Sequence, residues 1–546
     1  MKVLVLDGYT DEPACLGVPP YISPYARLAY GAVADAGEEA VYLTIDQWRT
    51  GKADLDRYDL IAIIRNIAVP GKYLRGMPAS DKELIQIVHS FDGRCVASLG
   101  VDPKVVPPEL KEILDHISAG DLDATLFDFV TSAKLEDRRR SPFEWNAWLL
   151  RGAEACQYHP DLGGPLIAEV QMYRGCVRYL SGGCRFCIEP LYGDVTFRRP
   201  QDILEEVLAL SKTGVRNFRL GAQSCVYCYM SREAGASETP TPNADVVAQL
   251  LRVIRRRIDP EVFHLDNANP AVISEHPEES RRITKAIAEY CTSGNVLAFG
   301  LESADPKVAR ANNLNSTAEQ TLEAIRLVNE VGRDRGTTGL PKVLPGINLL
   351  CGLEGETKET YDLNFEFLKK VLDEGLLIRR INIRQVVPSR QEFPGVVSKK
   401  HFAEFKRKVR MEIDGPMLER IVPDGTVLRS VFTELREGGR TFGRQVGTYP
   451  LLVGIPYPVE LGERVDIAVT GRAFRSITGV LHPTDANSAT LSMLTAIPGI
   501  GKRRAMAIVR RRPFRDPSDL WRLIAEPNAL ESAQFHLSLG NVDKEQ

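Results

Sequence analysis

Cys176, Cys184 and Cys187 stand within a dozen residues of one another in RGCVRYLSGGCRFCIEP, a C-x7-C-x2-C spacing. Thiolates this close, on a loop carrying Gly182 and Gly183, can wrap an inorganic core. Three ligands rather than four leave one iron of a [4Fe–4S] cluster open to a small molecule. A structural zinc ion is the alternative, and it asks for a fourth ligand from Cys225, Cys228 or a histidine. Cys225 and Cys228, in SCVYCYM, have a metal-like C-x2-C spacing of their own. They read as ligands of a second iron–sulfur cluster, as reactive thiols, or as a buried structural pair.

The chain that positions these cysteines has 546 residues, too many for one core, so two to four domains are expected. Hydrophobic content of 44% and charged content of 26% fit an ordinary globular protein. A net charge of −3 gives the whole chain no attraction to nucleic acid, so any such function must sit on a local basic surface. Ten cysteines without an N-terminal signal pattern imply a reducing compartment where thiols serve metals, and a cytoplasmic location is expected. No apolar run approaches the ~20 residues that span a bilayer.

Apolar stretches at Val3–Leu6, Ala40–Ile45, Leu60–Ile64 and Cys95–Leu99, with helical patterns at Pro24–Ala36 and Lys82–Ser90, predict a parallel doubly wound sheet over residues 1–130. Residues 131–165, with Arg138-Arg139-Arg140, Trp145 and Trp148, read as a linker packed on the core. Residues 166–390 alternate strands near Leu166–Met172, Asn217–Leu220, Val262–Asp266, Val296–Gly300, Gly346–Leu350 and Arg380–Val386 with helices such as Ile203–Ser211 and Ala244–Arg256. Residues 391–433 are charged and helical, with no role legible. Frequent glycines and alternating apolar residues over 434–484 predict a small antiparallel β-barrel. The segment 485–546 is helical.

The cysteine loop, with Phe186 before its last cysteine, resembles the cluster loop of radical S-adenosylmethionine (SAM) enzymes, widened by four residues in its first interval. The resemblance implies a [4Fe–4S] cluster on the three cysteines and SAM on the fourth iron. Reductive cleavage of SAM would then give a 5′-deoxyadenosyl radical. It also implies a partial (β/α)6 barrel with its site at the C-terminal strand ends. Gly221-Ala222-Gln223 stands where a glycine-rich turn meets the SAM amino group, with Gln223 in place of an acidic residue. Gly300-Leu301-Glu302-Ser303 is similar to a segment that approaches the SAM ribose or carboxylate. GINLLCGLEGETKET, which contains Asn348, resembles the fifth-strand segment of the MiaB, Elp3 and NifB-type branch. Arg384 falls near the SAM carboxylate. Residues 1–130 resemble the Rossmann-like, B12-binding-like domains that precede many such cores. No D-x-H-x-x-G loop surrounds His89 or His116, so cobalamin is not expected. Methylthiotransferases of this branch hold a second cluster on three N-terminal cysteines. This chain offers Cys15 and Cys95, with Cys156 further on, and the third is not where that family places it. Cys291 and Cys351 read as core.

Residues 434–484 look similar to the TRAM domain, an RNA-binding barrel of several RNA-modifying radical SAM enzymes. LSMLTAIPGIGKRRAMAIVRRR closely resembles a helix-hairpin-helix motif. There Gly499 and Gly501 turn the backbone so that amides at the second helix's start face a phosphate, beside Lys502, Arg503 and Arg504. Six basic residues in the eleven from Lys502 to Arg512 make a local electrostatic footprint. The overall order resembles an archaeal-type group of Fe–S oxidoreductases with this C-terminal motif. Together these features imply an RNA-modifying transferase acting on tRNA or another structured RNA, with ferredoxin or flavodoxin as electron donor. A radical enzyme acting on a protein or small metabolite, and a non-catalytic zinc-stabilised nucleic-acid-binding protein, are the alternatives.

Overall fold

The computed structural model describes residues 1–11, 17–52, 54–67, 76–99 and 106–540. Cys15 lies outside the described residues. The chain is α/β, with two successive parallel-sheet assemblies, a closed β-barrel and a helical end.

The first assembly is a five-stranded parallel sheet. Its strands are β1 (Lys2–Asp11), β3 (Glu39–Thr44), β4 (Leu60–Ile67), β5 (Arg94–Ser98) and β6 (His116–Ile117), ordered β3-β1-β4-β5-β6. Alternation along β1 sends Val3 and Val5 to a core shared with the rest of the molecule, and Leu4 and Leu6 to a core of its own. Both faces are covered, so the strand reads as a continuous apolar run. Between β1 and β3, the two-residue β2 (Tyr21–Ile22) leaves this sheet and pairs in parallel with the first strand of the next assembly.

The segment expected as a linker is a helix, Pro142–Gly152, and part of the N-terminal core. Ser141 caps it, in a box closed by Glu144, with Pro142 in the first turn. Trp145 and Trp148 pack with Leu28, Ala32 and Ala124. Gly31 and Gly152 permit this. A Cβ at either would lie within 2.0 Å of a carbonyl oxygen of the facing helix.

The second assembly holds six parallel strands in chain order: β7 (Ile167–Gln171), β10 (Asn217–Gly221), β11 (Val262–Leu265), β12 (Asn295–Glu302), β13 (Val343–Cys351) and β14 (Arg380–Gln385). They form the partial barrel of the radical SAM type, but its wall is seamed. The sheet β11-β10-β7-β2 and the sheet β12-β13-β14 meet through a single bridge, Ala268 to Phe299. After β7, the short antiparallel pair β8 (Tyr173–Arg174) and β9 (Thr196–Phe197) brackets the cysteine loop.

The charged stretch after the barrel is helical over Lys399–Val409 and Gly415–Ile421. A closed barrel follows, built of β15 (Val427–Glu437), β16 (Arg440–Gln445), β17 (Leu452–Ile455), β18 (Arg464–Arg472) and β19 (Ser476–Leu481), ordered β15-β16-β17-β19-β18. It is not wholly antiparallel: β17 and β19 close it in parallel. Closure leaves no free edge. Helices Leu491–Thr495 and Lys502–Arg511 form the hairpin near the end. No helix among the described residues is long and apolar enough to cross a membrane.

Candidate active site

The loop between β8 and β9 starts at the C-terminal end of the first barrel strand and wraps a cavity. Cys176, Cys184 and Cys187 line it from one side, Cys225 and Cys228 from the β10 end, and Glu302 and Asn348 from the β12 and β13 ends. Phe186 lines it too. The two cysteine motifs, forty residues apart in sequence, therefore share one chamber.

The loop is held by groups outside the motif. Gly175, Gly182 and Gly183 take left-handed φ values of 93°, 79° and 57°. The Arg390 guanidinium donates to the carbonyls of Gly182, Cys184 and Cys187 at 2.8, 3.1 and 3.1 Å, tying both ends of the C-x2-C turn to one point. The Asn313 amide donates to Gly183 O at 2.8 Å. Arg178, inside the widened interval, donates through its backbone N–H to Cys176 Sγ at 3.4 Å and through its side chain to Cys184 Sγ at 3.3 Å. A carboxylate, Glu238, anchors the same guanidinium. The first interval of the motif thus delivers a cation to the sulfurs.

These donors fit a cluster. Burial pushes the Cys176 thiol up to about 12 and raises those of Cys184 and Cys187, so a thiolate here needs a neutralising cation. Among the described residues, no three His, Cys, Asp or Glu side chains converge as a mononuclear ion requires. A cubane differs, because each thiolate binds a separate iron.

Cys225 and Cys228 are both buried. Burial works against a Cys225 thiolate, but hydrogen bonds from Cys228 and from the Asn269 N–H, 3.3 Å away, bring its pKa below the usual thiol value. Cys228, the donor in that pair, is raised. Cys95 and Cys156 lie buried in two different apolar cores.

Glu302 enters the chamber from backbone in the left-handed region. The register of β12 against β13 shifts between Gly300 and Glu302, and Glu302 has φ of 61°. This bulge turns its carboxylate over Gly300, where a Cβ would come within 3.1 Å of Oε1. Burial raises the carboxyl to about 8, with Arg384 pulling it down. Asn348 accepts from the Asn382 amide at 3.2 Å, and alternation along β14 puts Arg384 on the same face as Asn382.

Three residues expected around SAM do not line this chamber. Gln223 is turned inward, donating to Leu220 O at 3.0 Å and accepting from the Met172 N–H at 3.3 Å. Gly221 lies beneath the Glu169 carboxylate, which a Cβ would strike at 2.2 Å. Ser303 closes a local turn, accepting from the Asp305 N–H at 3.2 Å. Arg178, Asn313 and Arg390 were not legible as site residues, because their partners lie far along the chain or on sulfur.

At the C-terminal hairpin, Gly499 has φ of 78° and Gly501 caps the helix Lys502–Arg511 without a side-chain acceptor. Lys502, Arg503, Arg510 and Arg511 are exposed. Arg504 is engaged by Gly499 O and Glu526, and Arg512 by the carbonyls of Ala486 and Ala489.

Residues 170–362 match the radical SAM superfamily. The chain is 46% identical over 504 residues to the uncharacterised protein MJ0274 of Methanocaldococcus jannaschii, covering 88% of this chain and 93% of that one. A protein of Archaeoglobus fulgidus is 42% identical over 540 residues, 95% of this chain and 97% of its own. A tRNA-2-methylthio-N(6)-dimethylallyladenosine synthase of Mycolicibacterium gilvum is 26% identical over 317 residues, 56% of this chain and 57% of that enzyme. Among solved structures, the radical SAM methyltransferase TsrM of Kitasatospora setae aligns over 80% of this chain and 79% of its own, at 15% identity and a TM-score of 0.46. A cysteine loop at the first strand end of a six-stranded partial barrel, and near full-length kinship with the archaeal proteins, identify the chain as an enzyme of the radical SAM superfamily, in one family with them.

Proposed function

We propose that this radical SAM enzyme modifies a nucleotide within a structured RNA such as tRNA. The observation that carries the reading is the hairpin tip. Exposed Lys502 and Arg503 flank a helix start whose first amides have no side-chain cap, and exposed Arg510 and Arg511 extend the basic surface to the last turn of the same helix, an arrangement suited to backbone phosphate rather than to base edges. The neighbouring closed barrel adds the TRAM-like element. The partial likeness to an enzyme named for a tRNA product supports the same choice.

In this reading Cys176, Cys184 and Cys187 hold a [4Fe–4S] cluster, and Glu302, Asn348, Phe186 and Arg384 receive SAM. When bound, the pair supplies one-electron, hydrogen-abstracting chemistry that no side chain offers, with the electron drawn from a ferredoxin- or flavodoxin-type donor. Arg390 and Asn313 keep the loop in its wrapped form. Arg178 places positive charge at the sulfurs, which favours the more negative, reduced state. Glu302 presents a buried carboxylate to the hydroxyl or ammonium donors of SAM, and the Asn382–Asn348 contact orients the neighbouring amide. Cys225 and Cys228 stand across the chamber as reactive thiols.

The test is tRNA binding by the full-length protein and by a Lys502→Glu/Arg503→Glu variant across a salt series. The variant should bind at least about tenfold more weakly, with a salt slope shallower by about two, while dithionite-driven SAM cleavage is unchanged. Equal affinity and slope in the two proteins would remove the basis for an RNA substrate.

A further inference from the structure

Beside the cysteine chamber lies a second, roomier cavity of about 990 Å³. It lies between β14, the helices of residues 399–421, the C-terminal barrel and the chain entering β2. Its wall is cationic: Arg379, Arg380, Arg384, Arg410, Arg475 and Lys406 line it, and among the described residues none of the six has a carboxylate within ion-pair distance. Arg444 also lines it but is neutralised by Glu434. Asp414 is the one carboxyl among the described lining residues, and burial raises it to about 6 against the pull of Arg475, Arg410 and Arg379.

Such a cluster costs stability. Arg380 stacks on Tyr449 with its guanidinium 3.8 Å from the ring centre, and its buried Nε has no hydrogen-bond partner. Arg379 reaches only the carbonyl of Tyr449, at 3.1 Å. Burial lowers both arginines to about 10, with further lowering from each one's cationic neighbours. Guanidinium donors without carboxylate partners, two of them held at Tyr449 and Arg475 exposed at the rim, match the oxygens of a phosphate ester. At the mouth, Phe474 is 50% exposed beside Arg475, a free aromatic face next to a cation. The cavity also communicates with the chemistry. Arg380, Asn382 and Arg384 share one face of β14, and Asn382 touches Asn348 in the cysteine chamber.

We propose that this cavity binds a nucleotide of the substrate, its phosphate among Arg379, Arg380 and Arg475 and its base on Phe474, beside the position that reacts. The phosphate preference follows from the cavity alone. That the nucleotide belongs to an RNA rests on the reading given above. Affinities of inorganic pyrophosphate, AMP and adenosine for the full-length protein separate the two, with tRNA as competitor. Pyrophosphate and AMP should bind and adenosine should not, and tRNA should displace AMP. In an Arg380→Gln/Arg475→Gln variant both anions should bind about tenfold or more weakly. That variant should also melt at a higher temperature than the parent, because relief of like-charge crowding stabilises the ligand-free form; this separates a lost site from a misfolded protein. Phe474→Ala should weaken AMP but not pyrophosphate. Anion affinities unchanged in the double variant, or adenosine binding as well as AMP, would overturn the site. AMP binding that tRNA cannot displace would keep the site, assign it to a free phosphorylated metabolite and sink the RNA reading.

Discussion

Arg178 donates a hydrogen bond to Cys184 Sγ at 3.3 Å, although it belongs to the interval that separates the first two cysteines. The widened arc is therefore not slack. It places a guanidinium, held by Glu238 and by Asn313 O at 3.0 Å, against a cluster ligand.

From this geometry, replacing Arg178 by Ala should lower the reduction potential of the reconstituted cluster. The reduced cluster carries the additional negative charge, and the variant removes the nearby cation. A shift on the order of 50 mV is expected, with Arg178→Lys intermediate. An EPR-monitored redox titration reads it. An unchanged or raised potential in Arg178→Ala would show that Arg178 only props the loop.

The Cys225–Cys228 pair makes a different prediction. Two thiols hydrogen-bonded to each other, with one favoured as thiolate by the Asn269 amide, are expected to behave as a reactive dithiol. Reconstituted protein should carry about four irons, and a Cys225→Ala/Cys228→Ala variant the same. Cys225 should be alkylated faster than Cys228 in the iron-free protein. About eight irons, half of them lost in the double variant, would instead make the pair ligands of a second cluster.

A third prediction concerns pH and His264. This buried histidine on β11 accepts the Thr448 N–H at 3.1 Å and so pins the C-terminal barrel to the core. Burial lowers its pKa from the usual 6.5 to about 4. Between those values the unfolded chain binds a proton that the folded chain refuses. Stability is therefore full above pH 6.5 and falls as pH drops toward 4, by about 3 kcal/mol at most. Denaturant unfolding at pH 7 and pH 5 should show the loss, and His264→Gln should flatten it. An equal slope in the variant would assign the acid sensitivity to other groups.

Much of this was legible where a signal is local. The strands of both parallel assemblies lie near their apolar runs, and the cysteine loop and the hairpin glycines announce themselves by spacing. Elsewhere the deciding signal is a different local rule, or none. Ser141-Pro142-Phe143-Glu144 is a helix start, and Trp145 and Trp148 mark its buried face, yet the charged residues before it suggested a linker. Gln223 was placed by position in a motif, whereas an amide at a strand end is readily taken by the adjacent backbone. Arg390 acts on carbonyls some two hundred residues away, and no periodicity encodes that. The cationic cavity was dispersed among three segments, 379–384, 406–410 and 475, each of which alone reads as a solvated basic patch.

The pairing of Tyr21–Ile22 with β7, and the hydrogen bonds of the Tyr21 hydroxyl to the carbonyls of Gly447 and Thr448 at 3.0 and 2.7 Å, set an order of events on the ribosome. At about 5–20 residues per second, Tyr21 waits roughly 20 to 85 s for Thr448 to be made. The pairing partner β7 is made after only roughly 7 to 30 s, but the Tyr21 hydroxyl and the apolar flank it shares with Phe432 and Val446 stay unsealed until the C-terminal barrel arrives. Closure of that flank is therefore a late event, set by the arrival of the C-terminal barrel rather than by completion of either parallel sheet.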